Sequence, residues 1–188
     1  LGEAPNEFMK EQLKLLPKGS ILFPADGEGR NAVFAAEQGW QVSAFDMSEA
    51  GKQKADALAA KKGVSVDYAV STLEEADYPP SSFDALVLIF VHFPPNKRQE
   101  YHRRLTGFLK LGGTLILEGF SKEHIVFSRK NPKAGGPQNV EMLFSIEELT
   151  DDFVDFDLAE CCQTTVNLNE GLYHVGDSNV IRLVGRKR

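Results

Sequence analysis

As far as residue 120 the chain alternates short apolar runs with amphipathic stretches, the rhythm of βα units feeding a mostly parallel sheet. Ser20-Ile21-Leu22-Phe23 reads as a first strand entered from the turn Pro17-Lys18-Gly19. A glycine-containing turn follows, then a helix from Arg30 to Gln38 that stops at Gly39. Trp40 to Phe45 reads as the second strand. Ser48 is placed to cap a helix reaching Lys62, with Gly63 to end it. Val64 to Ala69 gives a third strand.

The run Phe83 to Val91 is almost continuously apolar, as expected of a central strand covered on both faces. A helix over 96–110 gathers Tyr101, Leu105, Phe108 and Leu109 on one face, and Leu111-Gly112-Gly113 turns the chain into a strand over 114–118. Five βα steps are then complete. Residues 121–144 lose the rhythm and read as a long loop, which in a compact domain is more often functional than passive. Ser145 with Glu148 forms a capping box for a short helix. Residues 153–168 and 178–186 read as two long strands. The pattern predicts one α/β domain over residues 1–188: a doubly wound, mostly parallel seven-stranded sheet with an antiparallel edge strand.

Composition narrows the function classes. The chain has 188 residues and a formal net charge of −6, which argues against a nucleic-acid-binding face. No apolar run reaches the ~20 residues needed to span a bilayer. Cys161 and Cys162 are adjacent, the four histidines are scattered, and no metal-ligand spacing occurs. A reducing cytoplasm without a disulfide framework or a metal is the expectation.

The strongest candidate site is Ala25-Asp26-Gly27-Glu28-Gly29-Arg30-Asn31-Ala32, between the first strand and the helix after it. Glycines there permit a tight turn and close approach of a ligand to the backbone. Asp46 ends the second strand, where an acid accepts hydrogen bonds from ribose hydroxyls. The spacing Gly27-x-Gly29-x-x-Ala32 also satisfies a dinucleotide fingerprint, which keeps an NAD(P)-dependent oxidoreductase in view. Charge separates the two. Asp26 and Glu28 would repel a pyrophosphate, whereas they match the ammonium and sulfonium of S-adenosylmethionine (SAM).

The run GEGRNAVFAAEQGWQVSAFDMS resembles motif I and the following acidic motif of small class I SAM-dependent methyltransferases, above all the tellurite-resistance type and its bacterial relatives. Gly2 to Asn6, His92-Phe93-Pro94-Pro95, Gly112-Gly113, Leu117 to Phe120, Gly135-Gly136-Pro137 and Glu170 to Gly176 extend the resemblance over nearly the whole chain. The family's first-strand acid and the glycine two residues on are replaced by Phe23 and Ala25, and its third-strand acid by Ser71-Thr72-Leu73.

The resemblance implies methyl transfer from SAM to a small-molecule acceptor, such as a thiol or chalcogen species. It assigns Ala25, Asp26, Gly27, Glu28, Gly29 and Asn31 to the methionine part and Asp46 to the ribose. Met47 would lie against the adenine, Thr72 and Leu73 at its edge, and Phe90 beneath the sulfonium; ordinary core packing is the competing reading for Met47 and Phe90. His92, just past the fourth strand, is the first candidate for a catalytic base, and His174, in the loop between the last two strands, the second. His102 is expected on the surface and His124 along the loop. That loop, with Gly135, Gly136 and His174, is expected to shape the acceptor pocket, and Phe8, Phe120, Phe127 and Phe144 are candidate apolar walls. A SAM-binding sensor without catalysis is the other alternative. The acceptor and the oligomeric state stay open.

Overall fold

The computed structural model describes residues 2–188. Seven strands form one sheet: β1 (Ser20–Pro24), β2 (Gln41–Asp46), β3 (Asp67–Val70), β4 (Phe83–Ile89), β5 (Leu109–Phe120), β6 (Phe156–Asn169) and β7 (Val175–Lys187). Their spatial order is β3-β2-β1-β4-β5-β7-β6. The first five pair parallel. The last two form the expected antiparallel pair at one edge, with β7 running against β5 on one side and β6 on the other.

Alternation along the strands builds a core on each face. In β4, Ala85 and Val87 join Ile21, Phe23 and Ile116 on one side, while Leu86 and Leu88 join Leu22, Leu115 and Leu117 on the other. The first side is covered by α1 (Glu7–Lys14), α2 (Arg30–Glu37) and α3 (Glu49–Lys62), the second by α4 (Arg98–Gly107) and α6 (Ile146–Asp152). Local signals act as read. Ser48 accepts from the Gly51 N–H, Gly63 closes α3 in the left-handed conformation, and both halves of the Ser145/Glu148 capping box form.

Three expectations need correcting. No helix separates β3 from β4; residues 71–82 cross in turns. The 121–144 segment is not simply a loop. It holds α5 (His124–Lys130) and two single 3-10 turns, Pro132–Ala134 and Val140–Met142, all too short to show a period. Helix α1 was unforeseen; Asn6 caps it and it buries Phe8, Met9 and Leu13. No described helix is long and apolar enough to cross a membrane.

Candidate functional site

Strand β1 ends at Pro24, and the chain then makes a turn whose backbone is left-handed at Ala25 (φ 51°), Gly27 (φ 62°) and Gly29 (φ 81°). Ala25 thus adopts the conformation that glycine favours, at a cost of about 1–2 kcal/mol. The two glycines serve different ends. A Cβ on Gly27 would meet nothing within 4 Å, so this backbone is open to a ligand. A Cβ on Gly29 would fall 2.4 Å from Ala55 Cβ, so Gly29 is required for α2 to pack on α3.

Hydrogen bonds lock the turn onto its neighbours. The Gly27 N–H donates to Asp46 Oδ2 (3.0 Å) and the Ser48 N–H to Asp46 Oδ1 (2.9 Å). Each carboxylate oxygen keeps a lone pair for one more donor. The Tyr68 hydroxyl, unforeseen from sequence, donates to the Gly27 carbonyl at 2.6 Å. The Ser71 N–H donates to the Asp46 carbonyl, which brings the 71–73 turn alongside the acid. Within that turn Thr72 caps its own chain, accepting from the Glu75 N–H and donating to the Glu75 carboxylate, and Leu73 packs on the core. Met47 is 75% exposed, which rules out core packing and leaves its side chain open beside Asp46.

Phe23, Ala25, Asp26, Gly27, Arg30, Asn31, Phe90 and His174 line a cavity of about 120 Å³ at the carboxyl end of the strands. Asp26 keeps some surface, but protein atoms surround its carboxyl group. Desolvation pushes its pKa up to about 7, against the pull of the Ala32 N–H and Arg30. Glu28, expected in the same cradle, lies outside the lining and pairs with Lys54 on α3. Only one of the two acids therefore faces the cavity. Phe90 has φ 55°, an outlier for a bulky residue, held by its N–H donating to the Glu118 carbonyl at 2.7 Å. Its ring stacks on Phe120 (4.6 Å) and lies 4.6 Å from His174.

His92 Nδ1 donates to the Met142 carbonyl (2.9 Å), and Nε2 accepts from the Phe120 N–H (3.1 Å). The ring is sandwiched between Phe120 and Phe144, and burial drops its pKa to about 4. Both nitrogens are committed to backbone, which leaves neither free to take a proton from an acceptor in this arrangement. His102, expected on the surface, is fully buried and paired with Asp152. His124 is also buried, bonded to the Gly135 carbonyl and the Asn179 N–H. His174 does line the cavity. Its Nδ1 is buried without a partner, and burial and Arg30 lower its pKa to about 4.

Gly135 and Gly136 make room for this arrangement. A Cβ on Gly135 would sit 2.7 Å from His174 Cδ2, and one on Gly136 3.0 Å from Phe120 Cδ2. Of the proposed walls, Phe120 and Phe144 pack beneath these rings, while Phe8 is in the α1 core and Phe127 stacks on His124.

Sequence reasoning also missed a buried polar network beside the cavity. Asn6, Arg30, Asn31, Glu118 and Glu170 are each at most 9% exposed. An acid within the apolar run TLILEGF of β5 was the available signal, because a buried charge needs partners.

Residues 21–113 match the family model described as a methyltransferase domain. No curated protein sequence matches the chain. Among solved structures, TehB from Haemophilus influenzae superposes with a TM-score of 0.76 at 14% identity, covering 97% of this chain and 62% of that one. A SAM-dependent methyltransferase from Methanosarcina mazei gives 0.72 at 18% identity, covering 94% and 96%. The 1,6-didemethyltoxoflavin-N1-methyltransferase of Burkholderia thailandensis, solved with 1,6-didemethyltoxoflavin and S-adenosylhomocysteine, gives 0.67 at 19% identity, covering 95% and 77%. At these identities the likeness is one of fold.

Proposed function

Residues 21–113 match the methyltransferase-domain family model, and from that premise we propose that the chain transfers a methyl group from SAM to a small-molecule acceptor. The observation that carries this reading is the cradle itself. An open left-handed turn at Gly27 is bonded to the Asp46 carboxylate, beside a cavity holding one buried acid.

The residues fit the cofactor part by part. Asp26 would supply negative charge to its cationic end, and Arg30, the one arginine or lysine among the described residues lining the cavity, would face its carboxylate. Asp46 has a spare lone pair on each oxygen for the two ribose hydroxyls. The cavity is smaller than the roughly 300–1,000 Å³ that encloses a whole small ligand. Its lining would hold the methionine end, and Asp46 with the exposed Met47 on the open edge beside it would hold the nucleoside. Phe90 and His174, which line the same cavity, would face the transferred methyl group.

The cofactor supplies an electrophilic methyl group, taken by direct displacement. The protein's part is to align the acceptor and exclude water, from which most of the acceleration can come. His174 is neutral at physiological pH and a weak base, with a pKa of about 4. An acceptor there must bring its own nucleophilicity. Thiols, whose ordinary pKa is about 8.5, and the more acidic selenols meet that need better than alcohols or ammonium groups.

Calorimetric titration with SAM, and with NADH and NADPH in parallel, tests the assignment. Micromolar binding of SAM alone is the expected result, followed by methylation of small thiols or hydrogen selenide. Binding of a nicotinamide cofactor but not SAM would overturn it.

A further inference from the structure

His174 occupies a position that its own neighbours do not explain. Leu172 and Tyr173 before it are 77% and 62% exposed, its φ is 59°, and its Nδ1 is buried without a partner. A loop with so little packing does not by itself hold a strained residue inside a cavity. What anchors it lies at the root of the loop. The Glu170 N–H donates to the His174 carbonyl at 3.0 Å, closing the loop on itself. The Glu170 side chain, 9% exposed, is gripped from two directions: Oε2 pairs with Arg30, and Oε1 accepts from Asn6 Nδ2 at 2.8 Å.

Asn6 is the hub. It is 1% exposed, and its polar groups reach four different parts of the chain. Its N–H donates to Asn31 Oδ1 (2.9 Å) on α2, and its Oδ1 accepts from the Met9 N–H (2.9 Å) of α1. Its two amide hydrogens bridge two carboxylates, Glu118 at the end of β5 and Glu170 in the loop, both at 2.8 Å. Arg182 on β7 neutralises Glu118, as Arg30 neutralises Glu170. Arg30 also donates to the Ala4 carbonyl at 3.1 Å. The N-terminal strap, the first turn of α2 and the His174 loop are thereby one hydrogen-bonded unit at the cavity wall.

We infer that Glu170 and Asn6 are positioning residues that hold His174 in the methyl-transfer cavity, which makes the strap before α1 part of the active site. The inference rests on the methyltransferase reading for its functional meaning, but the geometry it asserts is testable without turnover. Burying two carboxylates, the Arg30 guanidinium and a shared amide is costly unless every group is paired, and such networks specify a unique arrangement more than they add stability.

The test is a proton NMR titration of the four histidine Cε1–H signals, assigned with His174→Gln, in the wild type, Glu170→Ala, Asn6→Ala and, as a control, Glu3→Gln. Glu3 staples the same strap to Lys61 from outside, at 2.7 Å, without touching the network. Among the described residues, the charged and titratable groups acting on His174 are Arg30 and His124, both of which lower its pKa. If the ring stays in place when Glu170 is removed, Arg30 loses its counter-charge and the His174 pKa falls further. If the ring leaves the cavity, the pKa rises toward the ordinary value of about 6.5. The two outcomes have opposite signs.

A rise of one unit or more in Glu170→Ala and Asn6→Ala, with His92 and His124 unmoved and Glu3→Gln at the wild-type value, is expected. An unchanged or lowered His174 pKa in either variant overturns the inference. If Glu170→Ala does not fold, Asn6→Ala decides alone, because it leaves the Arg30 pair intact. Calorimetry with SAM on the wild type separates the two claims. Absence of binding sinks the methyltransferase reading and leaves the positioning result standing.

Discussion

The Gly27 N–H donates to Asp46 Oδ2 at 3.0 Å, so the tip of the glycine turn and the acid ending the neighbouring strand are fixed to each other before any ligand arrives. This preorganisation predicts the effect of Asp46→Asn. The amide would keep one acceptor oxygen but turn an N–H₂ toward the Gly27 or Ser48 N–H, and one ribose hydroxyl would lose a charged partner. Hydrogen bonds to charged groups contribute about 1.5–3 kcal/mol, so SAM affinity should fall roughly 10- to 100-fold. Calorimetric titration checks this, and an unchanged Kd would remove Asp46 from the ribose site.

His92 yields a stability prediction in place of a catalytic one. His92→Ala leaves the Phe120 N–H and the Met142 carbonyl without partners and opens a void between Phe120 and Phe144. The expected loss is on the order of 3 kcal/mol or more, read from urea unfolding. The ring also makes stability depend on pH. Its folded pKa is about 4, below an unfolded value of about 6.5, so between those values the unfolded chain binds more protons. The contribution is complete above about pH 6.5 and is lost as pH falls through about 4. A rate profile whose acid limb disappears in His92→Gln without loss of stability would restore His92 as the base.

The limits of the sequence reading follow the range of the interactions. Strand β4, α3 with its Ser48 and Gly63 caps, and the capping box at Ser145 were legible because their signals are local. That Gly27, Asp26 and Asp46 come together was legible because a strand, a turn and a terminal acid occur at fixed spacing. The choice among histidines was not. His92 and His174 are both loop histidines next to apolar strands, and only the fold shows that Phe120 and Met142 occupy one ring while the other faces the cavity. The Asn6–Glu118–Glu170 bridge spans 164 residues of chain between Asn6 and Glu170, a separation at which no periodicity carries information. Helices α1 and α5, of eight and seven residues, are too short for an apolar face to repeat.

Gly135→Ala tests the acceptor side separately from the cofactor side. The added Cβ would lie 2.7 Å from His174 Cδ2, at a residue whose φ of 74° already disfavours a side chain. With ψ at -157° the backbone lies in a region essentially restricted to glycine, which adds about 1–3 kcal/mol of strain for an alanine, and His174 must move. Methyl transfer should fall at least tenfold while SAM affinity stays within about threefold, since a misplaced group near the chemistry costs rate more than binding. Equal losses in both would mean that Gly135 supports the cofactor instead.

Asp26 gives SAM binding a pH dependence of definite sign. With a pKa of about 7 its carboxyl group is half protonated near neutrality in the free protein. A sulfonium and an ammonium beside it favour the carboxylate, so binding the cofactor releases a proton. Affinity should therefore be flat well above pH 7 and fall by up to about tenfold per unit below it, the limit for one coupled proton. Calorimetry between pH 5.5 and 8.5, in buffers of different ionisation enthalpy, reads both the affinity and the released proton. Asp26→Asn should abolish the slope and bind weakly at every pH. An affinity for SAM that rises as pH drops would place Asp26 away from the cationic end of the cofactor and leave Asp46 as the only acid in contact with it.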